Sequence, residues 1–269
     1  DDAAKGCDFV MHVASPFINI EPKDENEYIR PAVDGTMRAL KAAKSAGVKR
    51  VVLTSSMVSM LGNADKSIDV DAETWTNIKG KNVSAYSKSK TLAEQAAWNF
   101  IKDQTDNTKM ELAVVNPGPV FGPSLSGDLT GTSMSMFSQM MKGKMPMVPQ
   151  ASINMSDVRD IAKIHVLALE NTEASGKRFI VTTEKPYAFQ DVAKILKSNG
   201  YNKVSTKLAP NFLLKIMGNI NREAKSMRSF IGKTYNGDVS STMKTFDWKP
   251  ITFEKTVLDT AKSIESYLN

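Results

Sequence analysis

The alternation of apolar and polar positions divides the chain into strand-length and helix-length pieces. Residues 7–13 form an apolar run that reads as a buried strand, preceded at 1–6 by the end of a helix. From 27 to 46 the period changes: Tyr28, Val33, Met37, Leu40 and Ala43 recur at helical spacing, and Gly47 supplies the stop. Residues 48–53 are apolar without a break, the mark of a strand buried on both faces. The polar stretch 62–80, with Asp65, Asp69, Asp71 and Glu73 ahead of Trp75, reads as a surface excursion with a short helix near 73–78. Ser84 stands where a cap belongs, before a helix whose apolar face carries Leu92, Ala93, Ala96, Ala97 and Phe100. Residues 111–115 make the next strand, which Pro117 and Gly118 end abruptly.

After Gly122 the pattern loosens. Residues 124–131 read as loop, followed by Met134, Met136, Met140, Met141, Met145 and Met147. These methionines fit a helix burying its apolar side, and also a pliable substrate wall, because thioethers repack around varied ligands. Residues 153–157 lead into a helix at 158–170, and 178–181 read as another strand. Helices follow at 190–198, at 211–217 and after Phe253. Strands alternating with helices predict an α/β fold with a parallel sheet, and the chain carries no internal repeat or low-complexity tract.

The chemistry gathers between residues 51 and 90. Val51-Val52-Leu53 opens into Thr54-Ser55-Ser56 where a buried strand would reach the sheet edge, and Tyr86 and Lys90 lie four residues apart, on one helical face. A phenol titrates near 10, and an adjacent ammonium favours its ionised form and pulls that value down. Tyr86 is therefore a candidate general acid, and the Ser56 hydroxyl could hold a carbonyl oxygen beside it. Ser55 is the neighbouring alternative.

Ser56, with Tyr86 and Lys90 in a YxxxK arrangement, resembles the short-chain dehydrogenase/reductase superfamily. The phrases Val10-Met11-His12-Val13-Ala14-Ser15-Pro16, Asn116-Pro117-Gly118-Pro119-Val120-Phe121-Gly122-Pro123 and Asp157-Val158-Arg159-Asp160-Ile161-Ala162 are similar to the extended, dihydroflavonol-reductase-like and aldehyde-reductase branch. The resemblance implies a Rossmann-like doubly wound parallel sheet with a smaller C-terminal substrate lobe. Residues 1–123 would be the dinucleotide-binding part, and 124–269 mainly the lobe, with segments near 151–183 returning to the first part. It also implies hydride transfer from a nicotinamide cofactor to an aldehyde, ketone or dihydroflavonol-like carbonyl. In that reaction Ser56 would hold the oxygen, Tyr86 would protonate it and Lys90 would keep the phenol acidic while bonding the ribose. Ala14, Ser15, Thr54, Ser55, Tyr86, Lys90, Pro117, Gly118, Val120 and Ser133 would contact the cofactor. Relatives of this branch mostly use NADPH, so NADP is expected and NAD is the alternative. The chain departs from the family in carrying Asp34 where an Asn is usual, and Asn82-Val83-Ser84-Ala85-Tyr86-Ser87-Lys88 where cinnamoyl-CoA reductases carry NWYCYGK.

No GxGxxG or GxxGxxG precedes a helix, although a dinucleotide fold sets its pyrophosphate on such a turn. The expectation is a sheet that starts at the family's fourth strand and bares an apolar edge. The rivals are another extended-family activity (a sugar-nucleotide epimerase or dehydratase, or a 3β-hydroxysteroid dehydrogenase) and a non-catalytic scaffold. Composition narrows little further. The 41% hydrophobic and 24% charged content is that of a soluble globular protein, expected in the cytoplasm as a monomer or homodimer. A net charge of +6 spread over scattered lysines argues against nucleic acid, and no apolar run approaches the roughly 20 residues of a membrane span. One cysteine and two distant histidines argue against a metal site. His12 and His165 both read as packing residues.

Overall fold

The structure, a computed structural model, describes residues 2–15, 21–63, 66–80, 83–105, 109–212, 216 and 230–268. Its strands are β1 (Phe9–His12), β2 (Arg50–Thr54), β3 (Ile68–Val70), β4 (Glu111–Pro117), β5 (Val120–Phe121), β6 (Ser152–Ile153), β7 (Ser156–Asp157), β8 (Arg178–Val181), β9 (Tyr187–Ala188) and β10 (Thr234–Gly237). The helices are α1 (Asn26–Ser45), α2 (Ala85–Lys102), α3 (Thr132–Met141), α4 (Val158–Glu170), α5 (Phe189–Ser198), α6 (Ser240–Phe246) and α7 (Phe253–Leu268).

Four strands form a parallel sheet in the order β1-β2-β4-β8, with Arg50 opposite Glu111 and Val114 opposite Arg178. Successive residues of a strand face opposite ways, and here both ways are covered. Val51, Leu53, Leu112 and Val114 pack against Leu40 and Ala43 of α1 and Ala97 of α2. Val52, Ala113 and Val115 pack on the other side with Ile164 and Ala168 of α4. That double covering is why the strands read as unbroken apolar runs, and it makes this a Rossmann-like doubly wound sheet. All strand carboxyl ends point the same way, toward Ser55, Ser56 and Gly118.

A second sheet, β3-β10-β6-β9, lies with another core, built from Phe137 and Met140 of α3, Val192 and Leu196 of α5, and Val257 and Ile264 of α7. Asp157 caps α4, accepting from the Arg159 backbone N–H at 2.9 Å, and also accepts from the Thr256 hydroxyl at 2.7 Å. Arg159 reaches Asp259 at 2.6 Å, so α7 is tied to the start of α4. The methionines divide: Met140 and Met141 are buried, Met134, Met136 and Met145 pack against the same core, and the helix ends at Met141.

Three expectations need correction. Residues 7–13 are not a buried strand: Phe9 and Met11 are 39% and 40% exposed, because β1 pairs only with β2 among the described residues. What reads as a helix end at 1–6 is a 3-10 turn, Asp2–Ala4. No helix forms at 73–78 either. The Asp71 carboxylate accepts from the Glu73 and Thr74 backbone N–H groups at 3.0 and 2.9 Å, which offers them a turn in place of a helical ladder. Of the helix expected at 211–217, only Asn211, Phe212 and Ile216 are among the described residues, as Pro16, Asp65 and Asn82 are not. No described helix is long and apolar enough to cross a membrane.

Candidate active site

Local chemistry sets the positions of the three residues. The Ser84 side chain accepts from the Ser87 backbone N–H at 3.1 Å and starts α2 two residues before Tyr86, so Tyr86 and Lys90 follow one turn apart in its first turns. Beyond β2 the chain turns through Ser56, whose hydroxyl accepts from Val58 N–H at 3.3 Å and reaches the Pro117 carbonyl at 3.4 Å. The Tyr86 phenol is hydrogen-bonded to the Ser56 side chain. Ser56 and Tyr86 therefore meet. Ser55 turns its hydroxyl the other way, onto the Glu94 carboxylate at 2.5 Å.

The electrostatics differ from the sequence expectation. Burial pushes the Tyr86 phenol up to about 12, with the Ser56 hydrogen bond pulling against it. The depression by Lys90 expected from charge alone is not what sets the value: removing a phenolate from water raises it, and only the Ser56 hydrogen bond lowers it. Lys90 is 7% exposed, and burial brings its ammonium down to about 8 against the upward pull of Glu94. Among the described residues that ammonium has an electrostatic partner in Glu94 and no hydrogen bond.

Lys90 lines a cleft at the strand ends together with His12, Ala14, Ser15, Thr36 and Thr54. Burial and the Lys90 charge lower the His12 imidazole. His12 thus borders the site, a position the strand pattern did not reveal. The Thr54 hydroxyl lies 2.6 Å from His165 Nε2, while His165 Nδ1 lies 2.8 Å from the Ile161 carbonyl. A carbonyl only accepts, so Nδ1 carries the proton and Nε2 accepts from Thr54. His165 is the packing residue it reads as, and it holds Thr54. Pro117 and Gly118 close β4, with Gly118 N–H donating to Ser156 Oγ at 2.8 Å. A Cβ on Gly118 would stand 2.3 Å from the Asn154 carbonyl oxygen, so only glycine fits there. Val120 pairs with Ser156 in a two-stranded ladder. Ser133 sits in the first turn of α3, partly exposed, and no described hydrogen bond brings it to the Ser56–Tyr86 pair.

Sequence reasoning missed a buried polar group behind these residues: Glu94, Asn116 and Arg178. The signal was present. Glu94 interrupts the apolar face of α2 four residues after Lys90, and Arg178 opens a strand whose other residues are all apolar.

A buried ammonium with no hydrogen-bond acceptor among the described residues stands at the carboxyl ends of parallel strands, where doubly wound folds bind a dinucleotide. Fold and site together define a short-chain dehydrogenase/reductase of the extended type. The chain belongs to the 3-beta hydroxysteroid dehydrogenase/isomerase family, whose model matches residues 1–210. It is 37% identical over 204 residues to the cinnamoyl-CoA reductase CAD2 of Medicago truncatula, covering 73% of this chain and 60% of that protein. It is 34% identical over 211 residues to the NADPH-dependent methylglyoxal reductase GRE2 of Saccharomyces cerevisiae, covering 72% and 61%. The crystal structure of yeast methylglyoxal/isovaleraldehyde reductase Gre2 complexed with NADPH superposes with a TM-score of 0.78 at 28% identity, over 99% of this chain and 79% of that one. The chain thus spans about 60% of the length of the curated relatives it matches. A cinnamoyl-CoA reductase stands among them even though the NWYCYGK phrase does not occur here.

Proposed function

We propose that the protein acts as an NADPH-dependent reductase of small aldehydes, ketones or dihydroflavonol-like carbonyls. The observation that carries this reading is the meeting of Ser56 and Tyr86, with the Lys90 ammonium one turn further along α2. Relatives named as NADPH-dependent or as carbonyl reductases support the cofactor and the substrate class.

Bound NADPH would supply the hydride. The chain's own residues do the rest. Ser56 Oγ holds the carbonyl oxygen beside the phenol. Tyr86 is fully protonated at neutral pH, with its phenol at about 12, and gives its proton to that oxygen as negative charge develops there. The Lys90 ammonium stabilises the phenolate left behind and offers a donor to the ribose hydroxyls. Ala14, Ser15, Thr54, Pro117, Gly118 and Val120 shape the cofactor side of the cleft, and Ser133 stands as a more distant contact. In this arrangement residues 1–123 serve the dinucleotide. Residues 124–269 serve mainly the substrate, with 151–183 returning to the sheet.

The test is NADPH oxidation by the full-length protein against a panel of aldehydes and ketones. Tyr86→Phe should lower kcat by about 10²–10⁴-fold. A Phe variant with undiminished kcat removes Tyr86 as proton donor.

A further inference from the structure

Beneath the reduction site lies a buried carboxylate that the chemistry does not consume. Glu94 follows Lys90 by one turn of α2 and is 1% exposed. One of its oxygens takes the Ser55 hydroxyl at 2.5 Å and the Asn116 Nδ2 at 3.0 Å, and lies 2.7 Å from Ser59 Oγ. The other takes Arg178 Nε at 2.6 Å and Trp98 Nε1 at 3.3 Å. Arg178 in turn donates to the Ala72 and Thr74 carbonyls, both at 2.8 Å, and its guanidinium stacks 3.8 Å from the centre of the Trp75 ring.

These bonds join the ends of β2, β4 and β8 to one point on α2. They also reach the residue on which the reaction turns. Ser59 shares its single proton between Glu94 and the Ser56 carbonyl, 2.8 Å away, and Asn116 Nδ2 lies 3.4 Å from the same carbonyl. A buried ion pair is weak evidence for stability, since two charges taken from water rarely recover the cost. Its retention under a reactive site calls for another role.

We propose that the Glu94–Arg178 pair is the positioning device of the reduction site, fixing the rotation of α2, and so Tyr86 and Lys90, against the Ser56 turn, and setting a negative charge one turn beneath Lys90. The inference rests on the reductase reading above. Glu94 opposes the burial that lowers Lys90, and so keeps it an ammonium at neutral pH. The other groups facing Lys90 are His12 from β1, lowered and hence neutral there, and the uncharged Thr36 from α1. Arg178, on β8, is paired to Glu94.

The experiment is the pH dependence of kcat/KM for carbonyl reduction by the full-length protein, with melting temperature measured alongside. In Glu94→Gln the alkaline limb should move down by about one pH unit or more, because Lys90 loses its counter-charge. The double variant Glu94→Gln/Arg178→Met no longer leaves the Arg178 guanidinium buried without its carboxylate. It should recover the melting temperature while the limb stays displaced. Glu94→Asp keeps the charge and shortens its reach, so the limb should stay in place while kcat falls by about tenfold. An unmoved limb in Glu94→Gln, or a limb restored in the double variant, reduces the pair to an ordinary structural bridge. Should the first two variants fail to fold, the Asp variant decides, and a full rate there overturns the positioning role. Tyr86→Phe assayed in parallel separates the two claims: full activity there sinks the reductase reading, whatever the Glu94 variants do.

Discussion

At the scale of single residues, Lys90 sets the proposed function against stability. Its value of about 8 lies below the ordinary 10.5, so the folded chain gives up this proton at a lower pH than the unfolded one. The burial cost is fully present below pH 8. It fades between about 8 and 10.5, where the unfolded state binds the extra proton and stability rises with pH. Activity runs the other way and should fall above pH 8 as the ammonium is lost, which a kcat/KM profile would display. Lys90→Met should therefore gain roughly 2–3 kcal/mol at pH 7, read from denaturant melts, while abolishing reduction. A variant that lost stability would contradict this. The positions of Ser56, Tyr86 and Lys90 were legible from type and spacing. The electrostatics were not, because desolvation depends on what the fold packs around a group. Nothing in a YxxxK pattern reveals that the phenol is pushed up to about 12. Glu94 and Arg178, 84 residues apart, became partners only once β8 was seated beside β4.

At the scale of elements, the helices were readable from their spacing, to within a residue at α1, α4 and α5. The span expected for α4 matches the structure because Asp157 is an unmistakable start, and α2 begins where Ser84 implies. Ser84→Ala should cost about 1 kcal/mol of stability. Loosening the turn that holds Tyr86, it should lower kcat more than it raises KM in steady-state assays. Gly118→Ala tests the other side of the cleft. The added methyl must displace the β4 exit from Asn154, so dinucleotide affinity, followed by NADPH fluorescence, should fall by at least tenfold. The elements that escaped sequence reading are those whose pairing is distant. Strand β3 pairs with β10, Asn236 facing Asp69, and neither strand has enough apolar length to announce itself. The turn at Asp71 won over a helix through a side chain competing for backbone N–H groups, an effect that periodicity does not record.

At the scale of the whole molecule, the doubly covered sheet was legible because burial on both faces leaves apolar runs. The exposure of its edge could not be read from the run itself, since residues 7–13 look like any central strand. Phe9, Met11 and Val13 are 39%, 40% and 58% exposed on that edge. The wide sequence separation across the sheet has one more consequence. Ser56 and Pro117 are 61 residues apart and Glu94 and Arg178 84, so the parts that meet around Ser56 lie far apart along the chain. Contacts of that range close slowly. On dilution from denaturant, helical circular dichroism should return well before enzymatic turnover, the reactive centre being among the last things the chain completes.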